Sequence, residues 1–218
     1  MTSPDLEPVS TDPGLWRQVL TDSARPDEPL PALFLDRDGV IVEEVNYLHR
    51  IDDIEILPEA AKVMGACNQA GIPVVLATNQ SGVGRGCYDW AQFAAVQNEI
   101  CRRLAKAGGR FDMVLACAYH EAGRPPLDVA NHDWRKPRPG MLRAAARTLN
   151  LDLDRSWIVG DSASDLEAGK AAGLAGGIHV LTGHGSRDRE TALALADAGF
   201  EVIPKTGIGG AFDILARL

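Results

Sequence analysis

The chain has 218 residues, of which 45% are hydrophobic and 24% charged, and its net charge at neutral pH is -8. A chain of this size and composition suits one globular α/β domain or two small ones. The excess of acidic residues disfavours the phosphate backbone of nucleic acids as a partner, and no apolar run approaches the ~18 residues that cross a membrane.

The N-terminal residues and the cysteines bear on where the protein works. Residues 1–30 are acidic and contain proline but no apolar stretch, which is not the pattern of a signal peptide. They are interpreted as an N-terminal extension, with one helical turn near residues 15–20, ahead of a single domain at residues 31–218. The cysteines lack close paired spacing, which predicts free thiols in the reducing cytoplasm. They are Cys67, Cys87, Cys101 and Cys117.

Apolar runs alternate with helical patterns along the rest of the chain. Short buried strands are predicted at residues 32–35, 74–77, 113–116, 157–159, 178–181 and 201–203. Helices are predicted to begin near Pro58, Asp89, Pro139, Leu166 and Thr191, with a last helix that ends at Leu218. This alternation predicts an α/β fold, a doubly wound parallel sheet covered by helices on both faces. Ligands of such folds bind beyond the carboxyl ends of the strands.

Two aspartates follow the first of these strands. Side chains two apart on a strand point the same way, so Asp36 and Asp38 can converge just beyond its end, where Gly39 allows a sharp turn. Two carboxylates there could hold Mg²⁺, or one could attack phosphorus while the other moves a proton. A strand followed by an ordinary acidic turn is the alternative.

Reactive polar residues also follow later strands. The run at residues 78–82, Thr-Asn-Gln-Ser-Gly, follows the second strand, Arg135-Lys136-Pro137 precedes a helix, and Asp161 and Asp165 follow the strand at 157–159. Each has an ordinary structural explanation: a helix-capping turn, a surface lysine, and acids favoured by a helix dipole. Their joint placement at strand ends is not explained in that way.

Together these residue types fit phosphoryl transfer. Mg²⁺ held by Asp36, Asp161 and the backbone carbonyl of Asp38 would cancel the repulsion between a phosphate and the carboxylates. Lys136 adds a positive charge, and Thr78 adds a hydroxyl donor.

The motifs resemble those of a known superfamily. Asp-x-Asp-Gly, a strand-end Thr, a Lys and Gly-Asp-x-x-x-Asp occur in this order between residues 33 and 165, as in haloacid dehalogenase (HAD) superfamily phosphatases. The resemblance implies that Asp36 is the nucleophile that forms an aspartyl-phosphate. It implies that Asp38 protonates the leaving oxygen and then activates water. Thr78 and Lys136 would hold the transferred phosphoryl group.

The same resemblance implies a Mg²⁺ site. Its ligands would come from Asp36, Asp38 and Asp161, with Asp165 as a further ligand or as a support for one. Position 40 is Val where many members have Thr, a substitution that the superfamily tolerates.

Three segments are similar to one group within the superfamily, the heptose bisphosphate and histidinol-phosphate phosphatases. They are the T-N-Q-S-G-x-x-R-G run at 78–86, the R-K-P-x-P-G-M run at 135–141, and residues 47–52 after the nucleophile, which resemble the heptose enzymes. The absence of a domain-sized insertion between the motifs implies that there is no separate cap domain. Specificity is then expected from two loops, at about 43–55 and 118–138.

A doubly phosphorylated sugar suits the residues of these segments. Arg85 and Arg135 offer planar bidentate donors to a distal phosphate, and Arg138 is either a third donor or a surface charge. Asn79 and Gln80 can bond sugar hydroxyls, or they can build the turn through bonds to the backbone. The predicted partner is a small phosphorylated metabolite, with no nucleic acid or membrane, and the protein is expected to be a monomer.

Three other functions stay open. Histidinol phosphate carries a cationic amine, which acids near the far end would favour, and the available acids are Glu43, Glu44, Asp52 and Asp53. A polynucleotide 3′-phosphatase would share the Thr-Asn-Gln-x-Gly run, but the net charge and the lack of a basic stripe with aromatics argue against it. A non-catalytic sugar-phosphate binder would have lost a nucleophile or metal ligand, and none is lost.

The loop after the third strand departs from the pattern of the group. The enzymes of this group have a C-x-H motif after the third strand and a C-x-C motif just before the R-K-P run. At the matching positions this chain has Cys117-Ala118-Tyr119 and His132-Asp133-Trp134. Structural zinc almost always takes four protein ligands, and the residues Cys117, His120 and His132 supply three. We therefore expect no structural zinc, and a loop held by packing of Tyr119 and Trp134, with Pro125-Pro126 limiting its freedom.

Overall fold

A seven-stranded sheet organises the chain in a computed structural model that describes residues 12–21 and 26–218. The strands are β1 (Leu15–Val19), β2 (Leu33–Leu35), β3 (Val74–Asn79), β4 (Met113–Cys117), β5 (Trp157–Gly160), β6 (Gly176–His179) and β7 (Glu201–Pro204). Their order across the sheet is β1-β4-β3-β2-β5-β6-β7. Only β1 runs antiparallel to its neighbour, β4. The predicted doubly wound α/β sheet is therefore confirmed.

The described residues also form six α-helices and three 3₁₀ segments, the last of which follows β7. The helices are α1 (Ala60–Gln69), α2 (Ser81–Arg85), α3 (Trp90–Lys106), α4 (Gly140–Leu149), α5 (Ala163–Ala172) and α6 (Gly185–Leu193). The 3₁₀ segments are Ile51–Asp53, Leu153–Arg155 and Ile208–Arg217. No separate cap domain interrupts the described part of the chain. None of its helices combines the length and the apolar character that a membrane crossing requires.

The central strands bury both of their faces. Leu33 and Leu35 of β2 pack into one hydrophobic cluster, and Phe34 between them packs into the other. Side chains of a strand alternate between the faces of its sheet, so one short strand supplies both cores. This explains why β2, β3 and β4 are continuous apolar runs in the sequence.

The helix that begins near Asp89 has the predicted cap. The Asp89 carboxylate accepts the backbone N–H of Gln92 at 2.8 Å, and the Gln92 side-chain oxygen accepts the backbone N–H of Asp89 at 3.1 Å. This reciprocal capping box satisfies two backbone donors that the helix itself leaves without partners. It fixes the start of α3, directly after Tyr88.

The helical turn predicted at residues 15–20 is wrong, because these residues form strand β1. Leu15 pairs with Cys117 and Val19 with Met113. Trp16 is buried at 1% exposure and packs edge-on against Phe93, 5.2 Å between ring centroids. Alternate burial along the segment shows the period of two that is typical of a strand with one face on the core.

Several other boundaries differ from the sequence prediction, among them the start of α5, which is Ala163 rather than Leu166. Strand β6 begins at Gly176, two residues before Ile178, because the two glycines allow close approach: a Cβ on Gly176 would lie 2.6 Å from the Trp157 ring. Helix α6 begins at Gly185 rather than near Thr191. The final segment is 3₁₀ rather than α-helical.

Candidate active site

The carboxyl ends of the central strands bring the predicted acidic residues together. Asp36 follows β2, and Asp161 and Asp165 lie just beyond β5, which is hydrogen-bonded to β2. One ligand oxygen from each of these three carboxylates lies within 4.8 Å of the other two. The described residues contain no other group of three His, Cys, Asp or Glu side chains with this geometry.

Lys136 lies among these acids with its side chain 1% exposed. Its Nζ donates to Asp36 Oδ1 at 2.8 Å and to the Ala77 carbonyl at 2.7 Å, and it lies 2.6 Å from Asp165 Oδ1. Burial disfavours the charge of Lys136, but Asp165 and Asp36 outweigh burial and raise its pKa. The lysine is therefore a permanent cation at the strand ends.

The negative charges of the three carboxylates repel one another in spite of this lysine. Burial, with the charges of Asp36 and Asp165, raises the pKa of Asp161 to about 8. Burial also raises the pKa of Asp165 to about 6, although Lys136 opposes the shift. One cation does not balance three neighbouring acids, and a divalent metal with a preference for oxygen would. The residues present therefore fit Mg²⁺.

Two glycines without side chains leave space for the Asp161 carboxylate. A Cβ on Gly39, whose φ is 78°, or on Gly183, whose φ is 56°, would collide with the Asp161 carboxylate. The backbone N–H of His184 donates to Asp161 Oδ2 at 2.6 Å. The tight turns at these glycines thus pack backbone directly against the carboxylate and fix its direction.

Asp38 is held by Arg37, the residue that lies between Asp36 and Asp38 in the sequence. Arg37 is 1% exposed and donates from Nε to Asp38 Oδ1 and from Nη2 to Asp38 Oδ2, both at 3.0 Å. Its guanidinium also lies over the Phe93 ring, 5.5 Å from the centroid. Burial disfavours the Arg37 charge, but Asp38 outweighs burial and raises the Arg37 pKa, so the guanidinium keeps its charge.

Asn79, the last residue of β3, and Gln80, the next residue, both hydrogen-bond to other protein atoms. Asn79 clamps the backbone of Lys136, donating to its carbonyl at 3.0 Å and accepting its N–H at 3.1 Å. Gln80 Nε2 donates to Thr78 Oγ1 at 2.9 Å and to Asp38 Oδ2 at 3.2 Å. A contact of the Gln80 amide N–H groups with a sugar hydroxyl would therefore require an exchange of partners.

A cavity of about 300 Å³ opens above this cluster. Among the predicted site residues its lining contains Asp36, Asp38, Asn79, Gln80, Arg135, Lys136, Asp161 and Asp165. Residues not assigned to the site from the sequence also line it: Arg37, Asn46, Tyr47, Tyr88, Ser162, Ser164 and His184. Of the four acids considered for a cationic substrate, Glu44 lines the cavity. Asp52 and Asp53 lie near Arg50 at the surface.

Two predicted residues do not line this cavity. Thr78 is 1% exposed and lies behind Gln80. Arg85 joins the two loops that were expected to set specificity: Nη1 donates to the Tyr47 hydroxyl at 3.0 Å, and Nη2 lies 3.0 Å from His120 Nε2. Arg85 therefore bridges residues 43–55 and 118–138.

Arg135 lies between two cavities. It lines the active-site cavity and a neighbouring one of about 190 Å³, which His120, Glu121 and Arg138 also line. Its Nη1 donates to the Tyr119 carbonyl at 3.2 Å. Burial and the neighbouring Arg85 lower the Arg135 pKa, although Cys117 and Glu121 oppose this. Arg135 could therefore bind an anion in the neighbouring cavity, next to one bound in the active-site cavity.

The loop without the zinc motif packs as predicted from its aromatic residues. Tyr119 stacks on His132 with 4.1 Å between ring centroids, and its hydroxyl donates to Asp12 at 2.8 Å. Trp134 packs against the same core cluster as Tyr119. Burial raises the pKa of the Cys117 thiol to about 12, which disfavours the thiolate that zinc would need.

Sequence relatives place this site in a family. A D-glycero-beta-D-manno-heptose-1,7-bisphosphate 7-phosphatase of Mesorhizobium japonicum is 44% identical over 208 residues, which cover 95% of this chain and 91% of the relative. The family described as HAD-hydrolase-like matches residues 133–205. The chain belongs to the HAD superfamily. This HAD enzyme is a phosphoric monoester hydrolase. The Escherichia coli K12 enzyme with the same name as the Mesorhizobium relative is 36% identical over 71% of this chain and 81% of its own.

Solved structures agree with the assignment to the HAD superfamily. A protein described as a HAD-like phosphatase from Mesorhizobium loti has a TM-score of 0.85 and 43% identity, covering 95% of this chain and 94% of its own. The D,D-heptose 1,7-bisphosphate phosphatase of B. bronchiseptica, solved with magnesium and phosphate, has a TM-score of 0.72 and 33% identity. That match covers 87% of this chain and 100% of the B. bronchiseptica chain.

Proposed function

We propose that this HAD phosphatase releases the 7-phosphate of D-glycero-D-manno-heptose 1,7-bisphosphate. The observation that carries the proposal is the match to a relative of that name along 95% of the chain. The three clustered carboxylates, the buried Lys136 and the adjoining cavities support it, because they offer one place for a reacting phosphate and another for a second anion.

Asp36, Asp161 and Asp165, with the Asp38 backbone carbonyl, are the residues that would hold Mg²⁺. When bound, the metal would neutralise charge on the phosphate and on these carboxylates. Support comes from the raised pKa values of Asp161 and Asp165, which show that the site is short of positive charge. The B. bronchiseptica relative, solved with magnesium, points in the same direction.

The chemistry follows from the two aspartates after β2. An Asp36 oxygen attacks phosphorus, the bond from phosphorus to the sugar oxygen breaks, and Asp38 gives its proton to that oxygen. Asp38 then takes a proton from water, the water oxygen attacks the aspartyl-phosphate, and Asp36 leaves as a carboxylate. Lys136 holds the phosphoryl oxygens through both steps. Thr78 has the same role in the proposal, and because it lies behind Gln80 it would need a shift of Gln80 to reach them.

The second phosphate of the substrate is assigned to Arg135, with Arg85 and Arg138 as further cations. Arg135 supports this best, since it lines both cavities. Arg85 would act through the two loops that it bridges. Asn79 and Gln80 remain predicted ligands of sugar hydroxyls.

Histidinol phosphate is the second candidate, because Glu44 lines the active-site cavity and would face a cationic amine. Burial and the neighbouring Asp38 raise the Glu44 pKa, which weakens that attraction. The comparisons favour the heptose substrate.

The proposed setting is the cytoplasm, with the enzyme acting as a monomer on a free metabolite and on no nucleic acid. The four cysteines are free in the structure, which suits a reducing compartment. A single peak at the monomer mass in size-exclusion chromatography is the expected result.

The test is a substrate panel. Purified enzyme is assayed with heptose 1,7-bisphosphate, heptose 7-phosphate, histidinol phosphate and a 3′-phosphorylated oligonucleotide, each with Mg²⁺ or with EDTA. The expected result is the highest kcat/KM on the bisphosphate, activity that requires Mg²⁺, and no turnover by folded Asp36→Asn. A higher kcat/KM on histidinol phosphate or on the oligonucleotide would contradict the substrate, and turnover by Asp36→Asn would contradict the nucleophile.

A further inference from the structure

A chain of hydrogen bonds leads from Tyr88 to Asp38. The Tyr88 hydroxyl donates to Gln80 Oε1 at 2.5 Å, and Gln80 Nε2 donates to Asp38 Oδ2 at 3.2 Å and to Thr78 Oγ1 at 2.9 Å. Gln80 is 2% exposed and Tyr88 is 6% exposed, so both side chains are largely shielded from solvent although they line the cavity.

The direction of the chain is fixed by Tyr88. Burial raises the pKa of the Tyr88 phenol to about 12, although the Arg37 guanidinium opposes the shift, so the phenol keeps its proton. The hydroxyl proton makes Tyr88 the donor in the short bond, and its partner on Gln80 must be the oxygen. The amide nitrogen of Gln80 is then directed at Asp38 and Thr78. With the amide reversed, its oxygen would face the Asp38 carboxylate.

The two carboxylate oxygens of Asp38 therefore accept different numbers of hydrogen bonds. Oδ2 accepts from Arg37 Nη2 and Gln80 Nε2, while Oδ1 accepts from Arg37 Nε. Among the hydrogen bonds of the described residues, Oδ1 therefore has the lone pair that can carry a proton. A carboxyl group that delivers a proton in a reaction needs that proton on one defined oxygen.

We propose that Tyr88, acting through Gln80, is a positioning residue that orients Asp38 as the proton donor to the leaving oxygen. The inference rests on the proposed aspartyl-phosphate chemistry and deepens it. Arg37 also binds this carboxylate and fixes its plane through one bond to each oxygen. Tyr88 does not need to touch the reacting atoms for this role.

The test is Tyr88→Phe, which removes the hydroxyl and keeps the ring that stacks on His49. With a sugar phosphate, whose alkoxide must be protonated to leave, kcat/KM is expected to fall by about tenfold or more with little change in KM. With p-nitrophenyl phosphate, whose phenolate leaves without a proton, kcat/KM should fall by less than about threefold. Equal losses on both substrates, or no loss on the sugar phosphate, would overturn the proposal.

A double-mutant cycle tests whether Tyr88 acts through Gln80. Gln80→Met removes the amide at similar length, and adding Tyr88→Phe to it should cause no further loss of kcat/KM on the sugar phosphate. Independent, multiplied losses would mean that Tyr88 acts by another route. Tyr119→Phe is the matched control, because it removes a tyrosine hydroxyl bonded to Asp12, away from the cavity. Thermal unfolding of each variant checks the fold.

A replacement substrate and an NMR measurement distinguish failure of this proposal from failure of the substrate assignment. If the wild type does not hydrolyse heptose 1,7-bisphosphate, that assignment fails, and benzyl phosphate replaces the sugar phosphate in the comparison with p-nitrophenyl phosphate. The side-chain amide NMR signals of Gln80, identified by their loss in Gln80→Met, give a readout without turnover. They should shift in Tyr88→Phe and stay in place in Tyr119→Phe, and unmoved signals in Tyr88→Phe would contradict the role of the hydroxyl.

Discussion

Replacement of Lys136 by methionine tests the electrostatics of the site directly. Methionine fills a similar volume, so the main loss is the charge that lies 2.8 Å from Asp36 and 2.6 Å from Asp165. Breaking a buried ion pair by removing one partner costs about 3–5 kcal/mol. We expect a loss of this order in the free energy of unfolding of the metal-free protein at pH 8.

The loss should depend on pH. Asp161 and Asp165 have folded-state pKa values of about 8 and about 6, above their ordinary value of 3.8, and Lys136 lowers both. Without the lysine these pKa values rise further. The folded state then binds more protons than the unfolded state between about pH 4 and the folded pKa, so stability falls as pH rises through this window. The deficit of Lys136→Met is therefore larger at pH 8 than at pH 5.

Urea unfolding in EDTA at pH 5 and pH 8, followed by tryptophan fluorescence, measures both effects. Lys170→Met is the matched control, because Lys170 pairs with Asp197 where the side chains are 37% and 50% exposed. An exposed pair of this kind contributes less than about 1 kcal/mol. The reasoning is refuted if Lys136→Met loses no more stability than Lys170→Met, or if its deficit shrinks from pH 5 to pH 8.

Three further outcomes are expected. Asp161→Asn should abolish Mg²⁺-dependent turnover and yet stabilise the metal-free protein at pH 8 by on the order of 1 kcal/mol, since it removes a buried carboxylate held among like charges; a urea midpoint that falls would contradict this. Arg135→Ala should lower kcat/KM on heptose 1,7-bisphosphate more than on heptose 7-phosphate, and an equal loss would remove its distal-phosphate role. Elemental analysis of protein purified without added metal should find zinc far below one ion per chain, whereas stoichiometric zinc that is lost in Cys117→Ser would show a metal site in the loop.

The central part of the fold could be predicted because its signals are local. Strands β2, β3 and β5 are buried on both faces, so each is a continuous apolar run, and their carboxyl ends must meet at one edge of the sheet. Asp36, Asp161 and Lys136 follow or adjoin those runs, and their convergence follows from topology. The resemblance to HAD phosphatases added the chemical roles and agrees with the relatives found.

The errors occurred where the signal is non-local or absent. Strand β1 exists because residues 15–19 pair with β4, far along the chain, and such pairing leaves little trace in a five-residue window. The first turn of α6 is Gly-Ser-Arg-Asp, which has no apolar periodicity to mark a helix. The bond between Tyr88 and Gln80 depends on how the loop after α2 folds back, and no spacing rule predicts it.

The bridge made by Arg85 has a consequence for engineering substrate range. Its guanidinium binds Tyr47 in the loop at 43–55 and contacts His120 in the loop at 118–138, so a change in one loop removes a partner of the residue that holds the other. A graft of one loop from a relative would leave the half-buried Arg85 without one of these two side-chain partners, and we expect the graft to be less stable. Exchanging both loops together with Arg85 would keep the bridge intact.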